Sequence, residues 1–572
     1  MSSIRPATRK DPLLKTETYT YDNNGNVATV TDRKSQVTTY TFDPLNRRTK
    51  ATYHDSTSTN YTYDAGNRIT EVKEKDSGGT VTATITRTYD GLDRLTQEVT
   101  PQGQIDYTYD TASRRTSMTV AGQSAVNYTY DNANRLTQIT QGSNTVTLAY
   151  DDADRRTSVT LPNGNKIESA YNAASELTSL TFKHGTTTLG DLTYTYDAAG
   201  NRIKTGGSFA RTNLPPALTT VSYNANNQQT TFGSNTITYD LNGNLATVND
   251  GSVTTTYTWN VRNQLTGISN TGFSATFTYD SFGRRTGKTI QGTTTNFVYD
   301  GLNPVQEKNG STVTANLIIG LGLDEFFTRT DGVGSRDLLT EALGSTIALG
   351  DSSGTLQTQY TYEPFGYTTA AGQTNSNSYK YTGREDDDSG LYYYRARYYH
   401  PRLQRFIAED PLGFGGEDIN FYAYVNGNPM ALVDPLGLAS LTTDMKNGKT
   451  TFDPRPEDPN GNPTTIDTMN RVTSDSKPGA NDPLSTPDAS CLLIAPWRKY
   501  GPTGAYIDTG DIRGRDIHGG GSSLPDPLAP IQPLTPTQGC TRGHNQDLQD
   551  LCKKITDFKR RHPGVPIPYI RQ

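Results

Sequence analysis

Several residue types that often decide a function are scarce in this chain. Its 572 residues include three cysteines and two tryptophans, and 32% are hydrophobic. No run of about 20 apolar residues occurs, which excludes a helical membrane span. There is no basic excess either: the net charge is −6 and residues 439–572 are nearly neutral, so no nucleic-acid partner is indicated. The first residues, MSSIRPATRKDPLLKT, lack the apolar core of a signal peptide, so we expect export to need a dedicated machine.

Aromatic residues are plentiful instead. The chain has 35 tyrosines and 16 phenylalanines despite a mean hydropathy of −0.68. Disordered chains are poor in aromatics, so this composition favours tyrosines on half-exposed strands. The length predicts two or more structural units.

An aromatic–Asp or aromatic–Asn pair recurs through the first 300 residues, and most steps between pairs are 20 or 21 residues. Alternating Thr and Tyr residues precede each pair, which predicts strands, and an Asp-x-x-Gly/Asn-Arg segment follows it, which predicts a turn. The aromatic members are Tyr21, Phe42, Tyr63, Tyr89, Tyr109, Tyr130, Tyr150, Tyr171, Tyr196, Tyr223, Tyr239, Trp259, Tyr279 and Tyr299.

Each repeat is therefore predicted to be a β-hairpin that buries one face only by stacking on its neighbours. The predicted fold class is mainly β, with one long coiled sheet of hairpins forming a hollow shell. A β-propeller and an open solenoid are the alternatives, although a propeller blade needs a period near 40 residues. We assign residues 1–300 to the repeats and 301–389 to a segment that closes the shell.

Residues 390–438 contain two Asp-Pro-Leu-Gly units, which begin at Asp410 and Asp434. Proline fixes φ and glycine permits positive φ, so each unit predicts a turn that presents its carboxylate at a defined point. Two carboxylates at close range cannot both ionise, so one serves as an acid and the other as a base. The alternative is a pair of repeated surface turns.

The motifs GLYYYRARYY, RFIAEDPLG and LVDPLGL follow one another in this segment. In this order they resemble the core of Rhs-repeat (YD-repeat) proteins, which are shells that enclose a C-terminal toxin and cut it loose inside. The resemblance implies self-cleavage between Leu438 and Ala439 by Asp410 and Asp434. It also implies that Arg405 supports the site.

The composition changes after Leu438, where 17 of the 30 prolines lie. We assign residues 439–490 to a polar, proline-rich lead-in and 491–572 to a small, mostly β toxin domain. Within it, Cys540 follows Gly539 and precedes Thr541-Arg542, and His518-Gly519 lies upstream. A thiol needs a nearby base to become a nucleophile, and His518 is the candidate.

His-Gly followed by Thr-x-Gly-Cys-x-Arg is similar to L,D-transpeptidases (YkuD-like enzymes), including members delivered as antibacterial toxins. The resemblance implies a helix after the cysteine. It assigns these roles: Cys540 as nucleophile, His518 as base and acid, Gly519 orienting it, Gly539 in the oxyanion hole, and Arg542 and Thr537 on the substrate. Alternatives are a chance Cys/His pair, a zinc site at Cys540, His544 and Cys552, and a Cys491–Cys552 disulfide.

The predicted function is that of an antibacterial toxin delivered by a contact-dependent system and acting on peptidoglycan stem peptides in a target cell's periplasm. No cofactor or metal is expected. The implied partners are a cognate immunity protein and the spike and adaptor proteins of a type VI secretion apparatus. One alternative is the same shell carrying a nuclease or another toxin. A second, non-enzymatic alternative is a YD-repeat surface adhesion protein, whose tail is only a ligand.

Overall fold

The computed structural model describes residues 6–413 and 419–438 and, beyond them, the backbone of nine short strands. The described chain is almost entirely β-structure, and each strand of the first three sheets pairs with its sequence neighbour in the antiparallel sense. The predicted mainly β fold of long hairpin sheets is therefore confirmed. No helix in these described residues is long and apolar enough to cross a membrane.

The first sheet contains 19 strands in chain order. Their bounds are β1 Thr8–Lys10, β2 Thr16–Tyr21, β3 Val27–Thr31, β4 Val37–Phe42, β5 Arg48–Thr52, β6 Ser58–Tyr63, β7 Ile69–Lys75, β8 Val81–Tyr89, β9 Leu95–Thr100, β10 Gly103–Tyr109, β11 Arg115–Val120, β12 Val126–Tyr130, β13 Leu136–Gln141, β14 Asn144–Tyr150, β15 Arg156–Thr160, β16 Asn165–Tyr171, β17 Leu177–His184, β18 Thr187–Tyr196 and β19 Arg202–Gly206.

The second sheet contains 16 strands, again in chain order. Their bounds are β20 Val221–Tyr223, β21 Gln229–Phe232, β22 Asn235–Tyr239, β23 Leu245–Asn249, β24 Thr254–Trp259, β25 Leu265–Asn270, β26 Phe273–Tyr279, β27 Arg285–Ile290, β28 Thr293–Asp300, β29 Asn303–Asn309, β30 Thr312–Ile319, β31 Phe326–Asp331, β32 Gly334–Thr340, β33 Thr346–Gly350, β34 Leu356–Tyr362 and β35 Thr368–Gly372.

The array is thus divided into two sheets, whereas the repeat pattern predicts one. The break falls between β19 and β20, where the chain reads Leu214-Pro215-Pro216. Proline has no amide hydrogen to donate to a strand ladder, so two in succession end the sheet. The array resumes after this connection and continues through the segment 301–372.

Most repeats share one local construction, seen well at Phe42. The register shifts at this aromatic residue, which is a β-bulge, and the Asp43 carboxylate then accepts the amide hydrogens of Leu45 and Arg47. Asn46 takes a φ of 59°. The Asp43 side chain therefore closes the turn, as the sequence pattern predicts.

Successive repeats are joined through their arginines. Arg47 donates to Asp43 in its own turn at 2.6 Å and to Asn67 in the next turn at 2.9 Å. Its guanidinium lies 4.7 Å from the ring centroid of Tyr63. The Tyr63 hydroxyl in turn donates to the carbonyl of Arg48. Each of these turns is thus hydrogen-bonded to the turn of the next repeat.

The apolar faces of both long sheets share one core, to which β10–β18 and β28–β34 contribute. A third sheet comprises β36 Glu385–Asp386, β37 Tyr392–Tyr394, β38 Arg397–His400 and β39 Arg405–Phe406. Its Tyr393 and Tyr398 pack on the second sheet, and Tyr394 and Tyr399 belong to a separate aromatic cluster. This sheet carries Arg405, and the turns that contain Asp410 and Asp434 follow it along the chain.

A fourth, nine-stranded sheet is formed by the chain after residue 438. Its strands are β40 Leu441–Asp444, β41 Lys449–Phe452, β42 Thr464–Met469, β43 Leu484–Thr486, β44 Ser490–Leu493, β45 Ala505–Asp508, β46 Asp516–Gly519, β47 Thr541–Gly543 and β48 Tyr569–Arg571. The helix predicted after Cys540 lies outside the described residues. The domain boundaries stay predictions.

Candidate active site

The third sheet provides a rigid base for the two Asp-Pro-Leu-Gly turns. Tyr392, Tyr394, Tyr399, Phe406 and Tyr424 are each at most 2% exposed and form one aromatic cluster. The Tyr399 and Tyr424 ring centroids lie 4.3 Å apart. Aromatic packing of this kind fixes side chains in single positions, so groups attached to this sheet are well ordered.

Both units form the turns that the sequence predicts. The Asp410 carboxylate accepts the amide hydrogen of Leu412 at 2.9 Å, and the Asp434 carboxylate accepts that of Leu438 at 3.1 Å. Gly413 and Gly437 have φ values of 57° and 62°. A side chain on Gly437 would collide with the carbonyl of Tyr394, so this position requires glycine.

Arg397 lies between the two aspartates. Its Nη2 atom is 3.0 Å from Asp410 Oδ2 and 3.4 Å from Asp434 Oδ2. Its Nε atom donates to the carbonyl of Gly437 at 2.7 Å, and its guanidinium lies 3.6 Å from the ring centroid of Phe406. One buried cation therefore brings together the two carboxylates that are far apart in sequence.

The two aspartates differ in their electrostatics. Burial raises the pKa of Asp434 to about 6, the Arg397 guanidinium opposes this rise, and the neighbouring Asp410 carboxylate adds to it. Asp410 has the shorter contact with Arg397. A carboxyl group with a raised pKa beside a second carboxyl group is an arrangement that acid–base chemistry uses.

The site contacts the backbone next to the predicted scissile bond. Arg397 donates a hydrogen bond to the carbonyl of Gly437, and the Asp434 carboxylate accepts one from the amide of Leu438. Both polar groups of the 437–438 peptide are therefore hydrogen-bonded by the site. Leu438 is the last residue described before the predicted cut, and Ala439 lies outside the described residues. The predicted bond is the next peptide along the chain.

Arg405 lies elsewhere. It donates to the carbonyl of Asn227 at 2.7 Å and to Asn420 at 3.1 Å, and it faces the rings of Tyr223 and Tyr422. Within the described part of the chain it makes no ion pair. The structure does not bring Arg405 to the aspartates.

Sequence reasoning missed Arg397. The sequence does carry a signal, because Arg397 is a charged residue within the aromatic run YYYRARYYH. In the structure Arg397 is only 4% exposed. A cation placed in a buried strand needs an anionic partner, and the two nearby aspartates are the candidates.

For the predicted toxin domain, the backbone of two strands carries part of the predicted site. Strands β46 and β47 pair in parallel, with His518 opposite Arg542 and Gly519 opposite Gly543. Thr541, directly after the predicted nucleophile, pairs with Ile517, directly before the predicted base. Cys540, Gly539 and Thr537 lie outside the described residues.

Comparison with known proteins gives family matches over most of this fold. A family model described as Teneurin YD-shell matches residues 76–168 and 165–430, and one described as RHS Repeat matches residues 21–55. A solved structure titled TcdB2-TccC3 without hypervariable C-terminal region aligns with 76% of this chain and 28% of its own, with a TM-score of 0.53 and 18% identity. That likeness shows a shared β-shell fold.

Two curated relatives are named as a tRNA-specific nuclease and as a toxin subunit. The tRNA3(Ser)-specific nuclease WapA of Bacillus spizizenii is 31% identical over 262 residues, which cover 43% of this chain. Toxin subunit YenC1 of Yersinia entomophaga is 37% identical over 102 residues, which cover 17% of it. The chain spans 11% and 10% of the lengths of these relatives.

Proposed function

The chain belongs to the Teneurin YD-shell family, and from this premise we propose that it is a toxin-type shell that cuts its own backbone after Leu438. The observation that carries the proposal is Arg397, which joins Asp410, Asp434 and the Gly437 carbonyl in one buried cluster. Two surface turns would have no reason to share a buried cation.

The cut is a hydrolysis. The Asp410 carboxylate takes a proton from water, whose oxygen attacks the carbonyl carbon of Leu438. Neutral Asp434 gives its proton to the nitrogen of Ala439 as the carbon–nitrogen bond breaks. The products are a carboxylic acid on Leu438, which loses its proton to water, and a free amine on Ala439; Asp410 is left protonated and Asp434 ionised.

The test is intact-mass analysis of the purified chain and of its Asp434→Asn and Asp410→Asn variants. We expect a separate 439–572 fragment from the unmodified chain and a single 572-residue species from both variants. A fragment that begins at Leu438 would move the cut to the 437–438 peptide. Normal fragment release by Asp434→Asn would refute the mechanism.

For the released segment we propose a thiol enzyme acting on peptidoglycan stem peptides. Cys540 would attack the carbonyl beside the terminal D-alanine, with His518 as the base, and water or an amine would resolve the acyl-enzyme. The pairing of β46 with β47 supports this, because it sets the His518 strand beside the one that follows Cys540. A cognate immunity protein and a secretion apparatus are the proposed partners.

A nuclease is the second candidate, favoured by relatives that are named tRNA nucleases. Residues 439–572 expressed with and without a periplasmic signal, each beside its Cys540→Ala variant, separate the two. Growth arrest only in the periplasm and only with Cys540 supports the thiol enzyme. Arrest in the cytoplasm that survives Cys540→Ala supports the nuclease. No arrest in either compartment favours the non-enzymatic adhesion protein.

A further inference from the structure

Arg33, on the turn between β3 and β4, forms a buried pair with Glu409, the residue directly before Asp410. Its Nη1 atom lies 2.8 Å from Glu409 Oε1, and its Nη2 atom lies 2.7 Å from Oε2. The two side chains are 5% and 10% exposed. A two-pronged arginine–carboxylate pair has a defined geometry as well as strength.

Three distant parts of the chain meet at this pair, which we call the seam: residues 32–34, residues 240–244 and Glu409. Arg33 donates to the carbonyl of Asn242, whose side chain donates to Asp32 at 2.7 Å. Lys34 lies 3.2 Å from Asp240. The seam therefore joins the start of the first sheet to the start of the second.

Glu409 and Asp410 have separate partners on either side of one backbone link. Glu409 is held by Arg33, while Asp410 is held by Arg397 and, through its amide, by the carbonyl of Phe421 at 2.8 Å. A side chain on Gly243 would collide with the Glu409 carboxylate, so there is little space for that carboxylate to shift. Losing Arg33 would leave the Glu409 carboxylate with the more distant guanidinium of Arg9, at 3.7 Å. We expect the carboxylate then to shift and Asp410 to move with it.

We propose that Arg33 is a positioning residue for self-cleavage: its pair with Glu409 places Asp410 only after the first hairpins have docked at the seam. Arg33 and Glu409 are 376 positions apart, so their contact forms only when both sheets are in place. Cleavage then occurs only after the shell has closed, and residues 439–572 are released inside it. The inference rests on the self-cleavage proposed above.

The experiment follows the 439–572 fragment over time during cell-free synthesis of the full chain. We expect Arg33→Ala and Glu409→Gln each to slow its appearance about 10- to 100-fold, because small displacements of a catalytic carboxylate have effects of this size. Arg33→Lys keeps the positive charge but loses the two-pronged contact with Glu409, so it should cleave faster than Arg33→Ala and slower than the unmodified chain. The Arg33→Ala/Glu409→Gln double variant should be no slower than the slower single variant.

Arg329 and Glu307 form a matched control. Their pair is also buried and two-pronged, with Nη2–Oε2 at 2.6 Å and Nε–Oε1 at 3.1 Å. Arg329→Ala should therefore weaken the shell while leaving cleavage at the unmodified rate. Resistance of each chain to added protease reports its folding, and if Arg33→Ala does not fold, Glu409→Gln carries the test.

The outcomes separate the two proposals. Unmodified rates in folded Arg33→Ala or Glu409→Gln, or equal slowing by Arg329→Ala, would overturn the positioning role while leaving Asp434-dependent cleavage intact. Absence of cleavage in the unmodified chain, or cleavage that survives Asp434→Asn, would instead refute the self-cleavage itself.

Discussion

The repeat array and the third sheet use the same residue types in opposite ways. In the array, Arg47 and Asp43 are 20% and 15% exposed, and equivalent pairs recur at Arg68, Arg94, Arg114, Arg135 and Arg155. Beneath the third sheet, Arg285 and Asp387 are fully buried, and Arg285 also pairs with Glu385. The first kind of pair is local and repeated, and the second joins residues about 100 positions apart.

This difference predicts where the molecule is sensitive. A partly exposed ion pair adds little to the stability of the fold because water competes for both charges, and the neighbouring repeats contain equivalent pairs. Breaking a buried ion pair destabilises the fold strongly, because the remaining charge is buried without a partner and is not solvated by water. Stability and cleavage should therefore depend on a few single-copy contacts around the third sheet.

The largest effect should come from Arg285→Ala. The change leaves Glu385 and Asp387 buried, and Lys288 then lies 2.9 Å from Asp387 and 4.0 Å from Glu385. We expect the free energy of unfolding to fall by about 3–5 kcal/mol. Urea denaturation in an Asp434→Asn background keeps the chain intact for the measurement. A loss below about 1 kcal/mol would remove the contrast between the two regions.

Arg397→Ala should come next, with cleavage slowed about 100-fold or more, because the variant loses the donor to Gly437 and the cation between the aspartates. The rate of fragment release measures this. Arg405→Ala should slow cleavage less, since Arg405 does not contact the aspartates. An equal loss in both variants would return the supporting role to Arg405.

A change of one pH unit should alter the cleavage rate less than Arg397→Ala does. Asp434 must be protonated to act as the acid, and its pKa is about 6. The rate should therefore fall about tenfold per pH unit above that value. Urea-quenched precursor diluted into buffers between about pH 5 and about pH 8 gives the profile. A rate that rises over this range would exchange the roles of the aspartates.

The smallest effect should come from Arg47→Ala in the array. It removes the contacts with Asp43, Asn67 and the Tyr63 ring, and we expect a loss of about 1 kcal/mol or less. Urea denaturation beside Arg285→Ala, in the same background, compares the two regions directly. Similar losses would mean that the repeats are not interchangeable.

Local sequence motifs identify the two aspartates of the site but not the arginine between them. Asp410 and Asp434 were found because each lies in a short turn motif that can be read from neighbouring residues. Arg397 was missed because its role depends on a strand crossing between two turns. The break at Pro215 and Pro216 was also missed, since the repeat pattern resumes beyond it.

The strands, the turns and the bulge at each aromatic follow from alternating residues and turn chemistry within about 20 positions. These are local preferences, which a linear pattern records. The partners of Arg285, Arg397 and Arg33 lie from 13 to 376 positions away. Burial selects such pairs because an unpaired charge is excluded from the core, and only the folded chain reveals which charges are buried together.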